Sequence, residues 1–71
     1  MVSEWHQLSS SWIVAARVDR DENFLDLKFK DGAICRYAGA SNHFDAIVGA
    51  SSAGQYLNAN LKGWPYTQVA E

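Results

Sequence analysis

The sequence predicts an α+β domain: a three- to four-stranded antiparallel β-meander with two short helices packed on one face. Apolar and polar residues alternate with period two over residues 24–30, as in a strand with one buried face. A tight turn at Asp31-Gly32 leads into a second extended segment, 33–38. After residue 37 the apolar spacing changes to three and four residues, which is typical of helices.

Length and composition limit the choices further. With 71 residues there is room for one small core, so we assign residues 1–71 to a single domain whose N-terminus, 1–9, is frayed. The apolar fraction of 48% argues against disorder, and no apolar run approaches the roughly 18 residues of a membrane span. The first residues do not resemble a signal peptide. The single cysteine, Cys35, cannot form an internal disulfide, so we expect a cytoplasmic location.

The charge of the chain argues against a dedicated nucleic-acid binder. Its net charge is −2, whereas such proteins are usually basic because neutralising phosphates supplies much of their affinity. Most of the acidic residues lie in the first two thirds of the chain. Between Asp45 and Glu71 the only charged residue is Lys62, so a local basic patch is compatible with the sequence.

The first strand is predicted over residues 12–18, where β-branched and small apolar residues are frequent. Strict alternation puts Val14, Ala16 and Val18 on one face and Arg17 on the other. The polar residues that follow form a turn into the second strand.

Two registers are open to the hairpin formed by the second and third strands. A two-residue loop would place Arg36 opposite Leu27 on the core face, where an unpaired charge costs several kcal/mol on an order-of-magnitude scale. A three-residue loop, a type I turn closed by a bulge at Gly32, pairs Leu27 with Cys35 and keeps Arg36 outside. We predict the second register, with Cys35 and Tyr37 beneath the helices.

Two short helices and an extended segment complete the predicted fold. The first helix, about two turns long, is capped by Ser41 or Asn42 and ends near Gly49. The second begins after a serine at 51 or 52 and ends at Gly63. Residues 64–69 are extended, since proline disfavours a helical predecessor, and form a candidate fourth strand at the edge.

Five motifs spread over about residues 8 to 69 carry a family resemblance. They are Ser10-Ser11-x-Ile13, Val18-Asp19, Leu25-x-Leu27-x-Phe29, Gly32-x-x-x-x-Tyr37 and Ala50-x-Ser52-x-Gly54-x-Tyr56-Leu57-Asn58-x-x-Leu61-Lys62. Together they resemble the KTSC domain, named for its occurrence at the C-terminus of some lysyl-tRNA synthetases and also found as small free-standing bacterial proteins. The family's Tyr-x-Tyr stands here as Cys35-Arg36-Tyr37, and its Val-Pro before the first helix as Ala40-Ser41. The resemblance implies a domain of uncertain role, with RNA binding suggested by the synthetase association.

Candidate binding residues fall into two groups. For a nucleic acid or a protein partner they are Lys28, Lys30, Arg36, Lys62, Trp64 and Tyr66. We place Lys28, Lys30 and Arg36 on the open sheet face, with Arg17 as a further candidate, and there Trp64 and Tyr66 would add stacking rings. The alternative is a solvated face whose lysines discourage aggregation.

A second candidate is an anion site at the start of the second helix, formed by Ser52, Ala53 and Gly54. The structural alternatives are that Ser52 is only a helix cap and that Gly54 permits a close approach to the sheet or the first helix. Asn58 or Asn60 would hydrogen-bond the chain near residues 38–39.

Nothing in the sequence indicates catalysis, a metal or a cofactor. Cys35 has no adjoining base on its own strand face and is expected to be a buried structural thiol. His6 and His43 are too isolated for a metal site. We expect a non-catalytic module that docks on a larger protein assembly, with exposed tryptophans such as Trp12 and Trp64 at the contact. The alternative is a weak RNA-binding accessory domain.

Overall fold

A computed structural model describes residues 1–70 as an antiparallel sheet of five strands with short helices on one face. The strands are β1 (His6–Gln7), β2 (Ile13–Asp19), β3 (Phe24–Phe29), β4 (Ile34–Ala38) and β5 (Thr67–Val69), and each pairs with the next in the order β1-β2-β3-β4-β5. The helical segments are a 3₁₀ turn (Ser41–His43), α1 (Phe44–Gly49), α2 (Ala53–Tyr56) and a π-helical turn (Leu57–Leu61). This confirms the α+β class. Within residues 1–70 no helix is long and apolar enough to cross a bilayer.

The sheet has one more strand than the sequence predicts because the N-terminal segment pairs with β2. His6 lies opposite Ala16, and the Leu8 N–H donates to the Val14 carbonyl at 3.0 Å. The Ser3 N–H donates to the carbonyl of Val18, near the C-terminal end of β2, at 2.7 Å. The expectation of a frayed segment 1–9 is therefore corrected: backbone hydrogen bonds hold this segment along the edge of β2.

A bulge in β2 corrects the predicted facing of its residues. Ile13 pairs with Phe29 but Ala15 pairs with Lys28, so one extra residue is inserted at Val14. The insertion turns Val14 out to solvent and brings the fully buried Ile13 onto the core face beside Ala16 and Val18.

The β3–β4 hairpin has the predicted three-residue loop. Leu25 pairs with Tyr37 and Leu27 with Cys35. The Gly32 N–H donates to the Phe29 carbonyl at 2.9 Å, and Gly32 has φ +92°, as a glycine bulge requires. The core side chains of the hairpin therefore lie beneath the helices.

The predicted caps are partly correct. Ser52 caps α2, since its hydroxyl accepts the Gln55 N–H at 3.3 Å. Ser41 does not cap the first helix. Its hydroxyl instead bonds the Asn23 side chain at 2.6 Å, which ties the helix start to the β2–β3 turn.

Gly54 permits a close approach, but the neighbour is an indole and not the sheet or the first helix. A Cβ on Gly54 would overlap the Trp12 ring, which also packs against Phe29 with ring centroids 5.6 Å apart. The helix start, the bulged strand and the hairpin therefore meet at Trp12.

We expect Gly54→Ala to lower the free energy of unfolding by about 1–3 kcal/mol, because the added methyl group must displace the Trp12 indole. Gly49→Ala is the matched control: a Cβ there meets no atom within 4 Å, and alanine favours a helix. Urea unfolding followed by tryptophan fluorescence measures both. Equal unfolding midpoints for the two variants would contradict the packing role of Gly54.

Candidate binding surfaces

The sheet face opposite the helices carries a group of cationic and aromatic side chains around one carboxylate. We call it the cationic face; its residues are Trp5, Arg17, Phe24, Asp26, Lys28 and Arg36. The strand register places Arg17 of β2 and Arg36 of β4 directly opposite Asp26 of β3. Neighbouring strands lie about 4.8 Å apart, so both guanidinium groups can reach the same carboxylate.

Asp26 is fully buried and is neutralised by both arginines. Arg17 Nε donates to Oδ2 at 2.8 Å, while Arg36 donates from Nε to Oδ1 at 2.9 Å and from Nη2 to Oδ2 at 3.1 Å. These hydrogen bonds raise the pKa of the Arg36 guanidinium. With these three partly or fully buried charges held together, the geometry of both guanidinium groups is fixed.

Aromatic rings cover the two arginines. The Arg17 guanidinium lies 4.4 Å from the centroid of the Trp5 ring, and Lys28 Nζ lies 5.6 Å from the same ring. Arg36 lies 3.8 Å from the Phe24 centroid. Within the described part of the chain, no helix covers this face of the sheet. The cation–π contacts instead hold the long arginine side chains over Asp26, and these side chains exclude water from it.

A second surface lies on the helix side of the sheet. We call it the aromatic groove: two adjoining hollows of about 430 and 450 Å³, both lined by Tyr37, Leu57 and Tyr66. The first extends to Lys62 and Trp64. The second extends past Cys35 to Trp12, Phe29, Asp31, Ala33 and Gln68. Tyr66 is 60% exposed and Trp12 is 40% exposed, so large apolar surface borders the groove.

Specific contacts fix the aromatic walls. Trp64 Nε1 donates to the Ala38 carbonyl at 2.9 Å, and the Trp64 and His43 rings are nearly perpendicular, with centroids 5.6 Å apart. Tyr66 packs on Tyr37 with centroids 5.7 Å apart. Burial raises the pKa of Tyr37 to about 12, so its hydroxyl stays protonated at neutral pH. The groove is therefore uncharged apart from its two ends, Lys62 and Asp31.

The other potentially reactive side chains, Cys35 and His43, show no sign of activation. Burial, with a smaller effect from Asp31, raises the pKa of the Cys35 thiol, which opposes thiolate formation. His43 Nδ1 lies 2.7 Å from the Tyr56 hydroxyl, so this histidine has a structural partner. Within residues 1–70 no three His, Cys, Asp or Glu side chains are grouped so that they could hold a metal ion.

The structure separates the residues that the sequence placed on one surface. Lys28 and Arg36 lie on the cationic face, whereas Trp64 and Tyr66 line the aromatic groove, together with Lys62 of the helical segment. Lys30 is exposed in the hairpin loop. The expectation that Trp64 and Tyr66 add stacking rings to the cations is therefore corrected; Trp5 and Phe24 have that position.

The start of α2 has few donors left for an anion. The Ala53 N–H donates to the Ser9 carbonyl at 3.0 Å, and the Gln55 N–H donates to Ser52. Ala53 and Gly54 are buried, the latter beneath Trp12. The expected contact of Asn58 or Asn60 with residues 38–39 is replaced: Asn60 bonds the Tyr56 carbonyl, and Trp64 bonds Ala38.

Sequence reasoning missed Asp26 and Trp5. The signal for Asp26 was present, because the predicted hairpin register already places Arg36 opposite it. Trp5 could not be placed, since two paired residues in β1 leave no recognisable strand pattern.

The sheet and helices define a small α+β domain with one helix-covered and one open sheet face. The chain belongs to the KTSC family: the model of the KTSC domain matches residues 9–66, which confirms the resemblance found in the motifs. A comparison with curated proteins found no match. β5 begins one residue beyond the matched segment.

We expect Asp26→Asn to lower the free energy of unfolding by about 3 kcal/mol, because two partly buried guanidinium groups then lack their counter-charge. Asp45→Asn is the control, since it breaks the exposed Arg20–Asp45 pair and should cost less than about 0.5 kcal/mol. Denaturant titration measures both. If Asp26→Asn lowers the free energy of unfolding no more than the control does, the buried ion group around Asp26 does not stabilise the fold.

Proposed function

We propose that this chain is a non-catalytic binding module that docks on a larger protein through the aromatic groove. The observation that carries the proposal is the combination of exposed aromatic rings with a lack of charge along the groove. Aromatic side chains dominate the binding energy of protein interfaces, and charged residues are depleted at the centres of such interfaces. We also propose a cytoplasmic location, which suits the lone thiol of Cys35.

The groove supports a protein ligand better than a small polar molecule. Its lining offers mainly apolar ring surface, with the Trp64 indole N–H already bonded within the chain. Because Tyr66 is held against Tyr37, little ordering is needed when a partner binds.

We expect Tyr66→Ser to weaken partner binding at least about tenfold, because it removes the most exposed ring of the groove while leaving the core in place. Immobilised protein is incubated with a lysate of the cells that naturally produce it, and captured proteins are quantified by mass spectrometry. Val14→Ser, an exposed apolar residue at the β2 bulge, is the control. A set of captured proteins that survives Tyr66→Ser would contradict docking through the groove.

A second candidate function is weak binding of single-stranded RNA to the cationic face. Three cations and two aromatic rings converge there, a combination that tracks phosphates and stacks bases in other single-strand binders. The buried Asp26 offsets one of the three positive charges, and the whole chain is acidic. This candidate therefore ranks below protein docking.

If RNA binds there, Lys28→Glu weakens it while Lys62→Glu, on the other side of the sheet, does not. With two to three cations engaged, log K should fall against log salt with a slope between about −1.4 and −2. Fluorescence anisotropy with labelled single-stranded RNA measures both quantities, with tRNA and duplex DNA as comparisons. Equal affinity of the wild type and Lys28→Glu would exclude the cationic face.

A further inference from the structure

We propose that two copies of this chain pair through β5, so that the two sheets join in an antiparallel, twofold arrangement. β5 is the last strand of the sheet, and only β4 pairs with it among residues 1–70. Thr67 and Gln68 are exposed. The unpaired N–H and C=O groups along such an edge are available to another chain.

The two edges of the sheet differ in how well they resist such pairing. β1 has two paired residues, and the charged Glu4 lies close by. β5 consists of Thr67, Gln68 and Val69, which contain no charge and no proline, and its two β-branched residues favour an extended chain. β5 is short, but it lacks charge and proline, two of the usual protections of an edge strand.

The two ends of the sheet beside β5 carry opposite charges, so this edge is complementary to the same edge of a second copy. Thr67 pairs with Arg36 and Val69 with Ile34, so Val69 lies at the end of the sheet that holds the Asp31 loop. Lys62 precedes β5 and lines the groove at the opposite end. In an antiparallel pair, the end of one copy that holds Lys62 then lies beside the end of the other copy that holds Asp31, and a twofold interface repeats this on both sides.

Side-chain size favours the same register. Pairing centred on Gln68 uses all three residues of β5 and sets Tyr66 of one copy against Ala70 of the other. A large exposed ring then packs against a small residue. This pairing does not rest on the protein docking proposed above, because it depends on the backbone edge of β5; the two surfaces nevertheless share Tyr66, Lys62, Asp31 and Gln68.

The test is sedimentation equilibrium of the 71-residue chain from about 10 μM to about 1 mM. We expect the molar mass to rise from 7.9 kDa toward twice that value. Gln68→Lys places two like charges opposite each other on the axis and should raise the dissociation constant about tenfold. Gln7→Lys makes the same change on β1 and should leave it unchanged. A wild type that stays monomeric, or equal effects of the two variants, would overturn the proposal.

A charge exchange tests the twofold geometry without altering β5. Lys62→Glu and Asp31→Lys should each weaken self-association, because each places like charges at both ends of the interface. An equimolar mixture of the two variants restores both opposite-charge contacts, so its association should return toward the wild-type value. A mixture no tighter than either variant alone would show that these ends do not meet.

Discussion

The register of the β3–β4 hairpin is the constraint on which the other features depend. One residue of slip would exchange the two faces of β4, burying Arg36 against the core and exposing Cys35 and Tyr37. The Gly32 bulge fixes the alternative, in which Leu25 and Leu27 meet Tyr37 and Cys35 beneath the helices. The same register brings Arg36 to Asp26, so the cost of placing a carboxylate in the sheet is offset by two guanidinium partners.

The two faces of the sheet consequently differ in chemistry. On the cationic face, charge is concentrated but largely neutralised within the chain and shielded by Trp5 and Phe24. On the helix side, the C-terminal half contributes almost no charge, and its aromatic residues border an open groove next to the uncharged edge of β5. In such a module the aromatic groove and the uncharged edge strand β5 lie next to each other. We therefore propose protein contacts ahead of nucleic-acid contacts.

Local patterns predicted much of the fold, because period-two alternation and the Asp31-Gly32 turn determine the hairpin without tertiary information. The predicted face of Val14 was wrong because β2 contains a bulge. A bulge inserts one residue but leaves the composition typical of a strand, so the sequence does not show it. Trp64 and Tyr66 were assigned to the wrong face because Gly63, with φ +84°, turns the chain back, and a sequence does not show which face the returning segment crosses. The ion group around Asp26 could have been derived, since it follows from the predicted register.

The most direct test of this account is a nuclear Overhauser measurement between α-protons of β3 and β4. Residues directly opposite each other have Cα atoms about 4.5–5.5 Å apart, within range of this method. We predict a cross-strand contact between Asp26 and Arg36, with none between Leu27 and Arg36 of comparable strength. A dominant Leu27–Arg36 contact would establish the two-residue loop, place Arg36 on the core face and contradict both the ion group and the composition of the groove.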